Sequence, residues 1–110
     1  MQIAIRRVDN ATILDVSGDI DLASSPEVRK ALLLEVRDNL KPRVVMNLTA
    51  VRYIDSSGVA SLVEGLKASR DVGARFILFG LNTTVREVLQ LSRLLKIFET
   101  YESEEQAVAP

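Results

Sequence analysis

The chain has 110 residues, 47% of them hydrophobic, which suits one compact domain over residues 1–110 with its own core rather than a disordered segment. The net charge is −1 and no basic cluster is longer than Arg6-Arg7, so neither a nucleic acid nor an anionic membrane is expected as a partner. Cysteine and histidine are both absent, which excludes disulfides, thiolate metal sites and thiol catalysis, removes the base of a Ser-His-Asp triad, and disfavours an enzyme.

Ile3 to Val8 and Ala11 to Ser17 are short β-branched runs separated by Asp9-Asn10, a pair that tolerates the positive φ of a tight turn, and they predict a β-hairpin. After a turn signal around Gly18, Ser25-Pro26-Glu27 has the hydroxyl, the proline and the acid of a helix start. Val28, Leu32, Val36 and Leu40 then line one face. Pro42 breaks that helix, and Arg43 to Leu48 is a near-continuous apolar run of the kind found in a strand buried on both faces. The spacing of Val59, Leu62, Val63 and Leu66 predicts a helix from Ser57 to Val72, ended by Gly73. Arg75 to Phe79 reads as the next buried strand. Thr84-Val85-Arg86-Glu87 has capping-box form and opens a helix with Val85, Val88 and Leu89 inward, followed by a short Leu91 to Leu95 segment. Ile97 to Tyr101 reads as a weaker strand, and Ser103-Glu104-Glu105-Gln106 caps a short last helix that frays by Pro110.

The order β-β-α-β-α-β-α-β-α predicts an α/β fold: a mixed, roughly five-stranded sheet with an antiparallel edge strand from the hairpin, the other strands mainly parallel, packed with four helices. No apolar run approaches the roughly 20 residues a membrane span needs, and the first residues lack the order of a secretion signal. The expectation is a cytoplasmic protein without membrane insertion, and a monomer when free.

The informative segment is Ile54-Asp55-Ser56-Ser57-Gly58-Val59, where a buried strand gives way to an amphipathic helix. Helix starts present free N–H groups and the positive end of the macrodipole, so a phosphate on a serine there is locally tolerated. A phosphate at Ser57 adds about −1.5 to −2 charge beside Asp55 and, if the loop after the second strand folds over, near Asp21. That changes a surface more than a fold. The same residues are also what ordinary capping requires, with Asp55 or Ser56 as the cap and Gly58 for close packing.

Gly18-Asp19-Ile20-Asp21 before a helix, then Val44-Val45-Met46-Asn47-Leu48, Tyr53-Ile54-Asp55-Ser56-Ser57-Gly58, Gly73-Ala74-Arg75-Phe76 and the stretch from Val88 to Phe98 together resemble the STAS domain of bacterial anti-sigma factor antagonists. The resemblance covers essentially the whole chain. It implies an anti-sigma factor antagonist whose unphosphorylated form binds an anti-sigma factor serine kinase and so frees a sigma factor, with a serine phosphatase to reverse the modification. It implies Ser57 as phosphate acceptor, Ser56 and Thr49 as minor candidates, and Asp21, Asp55, Ser56, Ser57 and Gly58 as the partner-binding surface. Asn47 stands where the family often has aspartate, and Val59-Ala60 replaces a frequent Leu-Gly, which alters the helix surface a kinase would touch. The alternative is a non-switching STAS scaffold, or a subunit of a signalling assembly or ABC-type transporter.

Other candidates have ordinary readings. Asp19 and Asp21 have no third ligand for a cation, which wants six or more oxygens, and no Gly-rich phosphate cradle occurs, so no cofactor is expected. An aspartyl-phosphate receiver would need an acceptor Asp ending a buried strand, where this chain has Asn47-Leu48-Thr49. Arg86, Arg93 and Lys96 form no tight cluster in the sequence and read as a solvated face, and Ser24-Ser25 reads as a cap.

Overall fold

The computed structural model describes residues 1–110, apart from the side chain of Asn39. Strands β1 (Gln2–Val8) and β2 (Ala11–Ile20) form the hairpin, followed by α1 (Ser25–Asn39), β3 (Arg43–Ile54), α2 (Ser56–Asp71), β4 (Arg75–Phe79), α3 (Thr83–Leu91), a 3-10 turn (Leu95–Ile97), β5 (Glu99–Tyr101) and α4 (Glu104–Val108). The sheet order is β1-β2-β3-β4-β5, with β1 antiparallel to β2 and every other neighbour parallel. The expected mixed sheet and four helices are therefore present.

Because the strands follow one another in order, crossovers of one hand all fall on one side of the sheet. The core shows this. Leu14, Val16, Val44, Met46, Leu48, Phe76 and Leu78 pack against Val28, Leu32, Val36, Val59, Leu62, Leu66, Val85 and Leu89 of α1, α2 and α3. The alternate residues Ala11, Ile13, Val45, Ile77 and Phe79 meet Ala107 of α4 on the opposite face. Burial on both faces is why these strands read as unbroken apolar runs.

β2 and β3 both run further than their sequence suggests. A loop is expected after Leu48, yet β3 continues to Ile54, with Leu48, Val51 and Ile54 buried at a spacing of three. The pairing register explains the spacing: Asp15 faces Asn47 but Ser17 faces Ala50, and Gly18 faces Val51 but Asp19 faces Tyr53. Each shift inserts an extra β3 residue, which hides the period of two expected of a strand. Gly18 is not a turn after β2 but lies within it, with φ +94 and its Cα side against Met1. A side chain there would be strained by the positive φ.

Three further expectations are corrected. Leu40 does not join the inward face of α1: it is the C-cap, in the left-handed region at φ 43, and 67% exposed. Ser25 is not the N-cap of α1; Ser24 holds that position without a side-chain cap bond, because its hydroxyl is taken by the preceding loop. Thr84 does not cap α3 either. Asn82 does, accepting from Val85 N at 2.8 Å while donating to Val51 O at 2.8 Å, so one amide serves both the helix end and the bulged part of β3. The capping box at Ser103 and Gln106 forms as expected.

Candidate functional site

Ile20 and Ile54 lie side by side where β2 and β3 end, which brings the loop after β2 against the start of α2. Asp55 is the N-cap of α2 in extended conformation. Its Oδ1 accepts from Ser57 N at 3.0 Å, Gly58 N at 3.1 Å and Ser57 Oγ at 2.5 Å. Its Oδ2 accepts from Leu22 N across the loop at 3.1 Å. One carboxylate thus satisfies two orphan helix donors and ties the two loops together. The Ser57 hydroxyl first, then the Gly58, Ser57 and Leu22 amides, hold the Asp55 carboxyl below its ordinary value against the opposing effect of desolvation.

Gly58 is buried because α2 starts directly on the strand ends. A Cβ there would stand 2.5 Å from Ile54 Cγ1 and 2.6 Å from the Ile20 carbonyl oxygen, both far inside contact distance. Only glycine lets α2 come this close, and that closeness sets Ser57 at the surface with its hydroxyl turned to Asp55. Ser57 is half-buried and Ser56 exposed. Ser61 Oγ donates to Ser57 O at 3.2 Å and to Ser25 O at 3.3 Å, linking the first turn of α2 to α1.

Asp21 orders its own loop: its Oδ1 accepts from Ala23 N at 3.0 Å and Ser24 N at 3.1 Å, and Ser24 Oγ donates to Asp19 O at 2.7 Å. Among the described residues neither Asp21 nor Asp55 is in an ion pair, whereas Asp19 faces Arg52 at 3.5 Å. The structure therefore brings Asp21, Asp55, Ser56 and Ser57 into one acidic patch, with Gly58 buried beneath it. It separates Thr49 from them. Thr49 is an exposed residue of β3, its hydroxyl donating to Asn47 Oδ1 at 2.7 Å, roughly 15–20 Å back along the strand. Among the described residues no group of three or more metal-ligating side chains converges, and no helix is long and apolar enough to cross a membrane.

Two flanking features escape sequence reasoning. Leu22 stands at the loop tip, 77% exposed beside Asp55. On the other side, Ser56 opens onto a groove of about 430 Å³ between α2 and the segment after α3, lined by Val59, Ala60, Val63, Ser92 and Leu94. Ser92 and Leu94 lie far from the block along the chain, so no local pattern points to them.

The family model of the STAS domain matches residues 2–107. The anti-sigma-B factor antagonist of Listeria monocytogenes is 31% identical over 100 residues, covering 90% of this chain and 85% of that protein. An anti-sigma factor antagonist from Mycobacterium paratuberculosis superposes with a TM-score of 0.87 at 23% identity, over 97% of this chain and 90% of the other. The Bacillus cell fate determinant SpoIIAA in its phosphorylated form superposes with a TM-score of 0.74 at 21% identity, over 97% and 96% of the two chains. At these identities the two structures establish a common fold.

Proposed function

The chain belongs to the STAS domain family, and from that premise we propose that it is an anti-sigma factor antagonist switched by phosphorylation of Ser57. Unphosphorylated, it docks through the Asp21–Asp55–Ser57 patch onto an anti-sigma factor serine kinase in the cytoplasm and frees a sigma factor. The observation that carries this reading is the Ser57 hydroxyl, half-exposed at the start of α2 and held by Asp55 Oδ1 at 2.5 Å in a patch whose two carboxylates have no ion-pair partner among the described residues. Ser56 has no such bond to Asp55, and Thr49 lies outside the patch.

Phosphorylation replaces the Oγ–H donor with a dianion beside a carboxylate. The phosphate must turn away from Asp55, and the positive end of the α2 macrodipole tolerates it there. Asp55 keeps its bonds from Ser57 N, Gly58 N and Leu22 N, so the fold survives. A docking surface on the kinase that is matched to hydroxyl and two carboxylates then meets extra charge that must be desolvated. A serine phosphatase restores binding. The protein acts as a regulatory binder, not as a catalyst.

The test is affinity for the anti-sigma factor serine kinase of the same genome, measured for wild type, Ser57→Ala and Ser57→Asp, with phosphopeptide mapping of the kinase-treated protein. The expected result is phosphate on Ser57 alone, Ser57→Ala binding within a few-fold of wild type, and Ser57→Asp weakened at least about tenfold with unchanged thermal stability. Phosphate elsewhere, or equal binding of all three, overturns the proposal.

A further inference from the structure

Three cations that look scattered in the sequence converge in the fold. Arg86 and Gln90 of α3, Arg93, Leu95 and Lys96 after it, and Phe98 and Thr100 beside and within β5 line one open groove of about 410 Å³. Arg86 and Gln90, at i and i+4, share one face of α3, and Arg93 joins them from beyond the helix end. The expected solvated face is present, with Arg93 and Lys96 exposed, and the fold gathers the three cations around one groove. None of the three has an ion pair or side-chain hydrogen bond among the described residues, a condition shared with Lys30, Arg37, Lys41, Lys67 and Arg70, so all three charges are available to a ligand of the groove.

The acids of this segment do not neutralise the groove. Glu99 is committed to Arg75 and to the Tyr101 hydroxyl, and Glu87 and Glu102 are outside the lining. Arg93 and Lys96 follow the carbonyl end of α3, where a cation is favourable in any case. That does not account for Arg86, which lies inside the helix. Arg93 also adopts φ +59, at a helix end where glycine is the usual residue; an arginine there retains a charge at a conformational cost. Beneath the cations the floor is apolar, from Leu95 and buried Phe98, and Leu91 at the end of the same helix is 84% exposed.

We propose that this groove between α3 and β5 is a second docking surface, for an acidic segment of a partner protein in which carboxylates flank an apolar side chain. Cations on the rim match the carboxylates, and the floor takes the apolar residue. A nucleic acid fits poorly: the chain is net negative and the cations form one cluster, not a stripe. The surface is distinct from the Ser57 patch and does not depend on its switching.

The probe is a fluorescein-labelled synthetic peptide with two acidic residues on each side of a Leu-Phe core, alongside versions with lysines or serines in place of the acids. Binding is followed by anisotropy and by amide shift mapping of the whole protein. The acidic peptide is expected to bind selectively, to shift amides from Arg86 to Thr100, and to weaken at least about tenfold in Arg86→Glu/Arg93→Glu. Arg93→Ala/Lys96→Ala, both exposed, serves should the first variant lose its fold, with a smaller loss in the same direction expected. Ser57→Asp is expected to bind the peptide as wild type does, so failure here and failure of the switch are read separately. No preference for the acidic peptide, no effect of the charge variants, or equal displacement by inorganic phosphate, a short RNA or anionic vesicles overturns the proposal.

Discussion

Two aspartates, Asp55 and Asp15, are held below the ordinary carboxylate range at two places in the sheet, and they are held there differently. At the start of α2, Asp55 is surrounded by donors without charge: the Ser57 hydroxyl and three backbone amides. Beneath α4, Asp15 is paired with Arg6, whose guanidinium contacts it at 2.5 and 2.9 Å and reaches Glu104 of α4 at 2.6 Å. Arg6 is the leading cause of the lowered Asp15 value, with Asn47 adding a bond at 2.8 Å. Asp15 is neutralised from within and fastens α4 to the sheet, together with bonds from Asn10 and Arg43 to the Val108 and Ala107 carbonyls. Asp55 keeps its charge uncompensated at the surface. The first arrangement stabilises; the second leaves an unneutralised carboxylate at the surface.

The comparison breaks most sharply at Gly58. Gly58→Ala forces a methyl against the Ile20 carbonyl, which cannot move aside as a flexible side chain would, and about 3 kcal/mol of stability is expected to be lost in urea denaturation. Asp55→Ala removes the cap and leaves the loop amide of Leu22 without its acceptor; about 2 kcal/mol is expected, with faster hydrogen exchange at Leu22, Ser57 and Gly58. Arg6→Met acts on the other region. Its partners are half-exposed, so screening limits the loss to about 1 kcal/mol, but exchange at the α4 amides is expected to rise selectively.

The smallest effect sharpens the contrast. Both folded carboxyls titrate below the unfolded value of about 3.9, so the unfolded chain binds more protons in acid and stability falls as pH drops through the folded values. Glu99, lowered chiefly by Arg75, adds to the same slope. The urea midpoint is expected to be flat from about pH 7 to 5 and to fall below about pH 4. Asp15→Asn and Asp55→Asn should each flatten that fall. Added salt should reduce the Asp15 contribution more than that of Asp55, because only the first comes chiefly from a cation. Equal salt sensitivity would remove the distinction drawn between the two sites.

Much of this molecule is legible along the chain because its determinants are local. The strand runs from Val44 and Phe76, the helix face of Val59, Leu62 and Leu66, the Ser103 cap and the Asp55-Ser56-Ser57-Gly58 block each carry their signal within a few residues. The cap of α3 is not legible in this way: Asn82 rather than Thr84 holds it, and its amide also reaches Val51 on a distant strand. The last half of β3 is not legible, since its bulges replace a spacing of two with one of three, and bulges belong to the pairing with β2.

The sequence alone therefore determined the order of elements, the two-sided burial of the central strands and the place of Ser57 at a helix start, all set by period, propensity and capping. Only the tertiary structure decided that the Asp21 loop closes on Asp55 through Leu22 N, that Ser92 and Leu94 flank Ser56, and that Arg86, Arg93 and Lys96 line one groove. Those depend on strand register and on crossovers that bring distant segments to one edge, and no spacing along a single chain encodes a distance across a sheet.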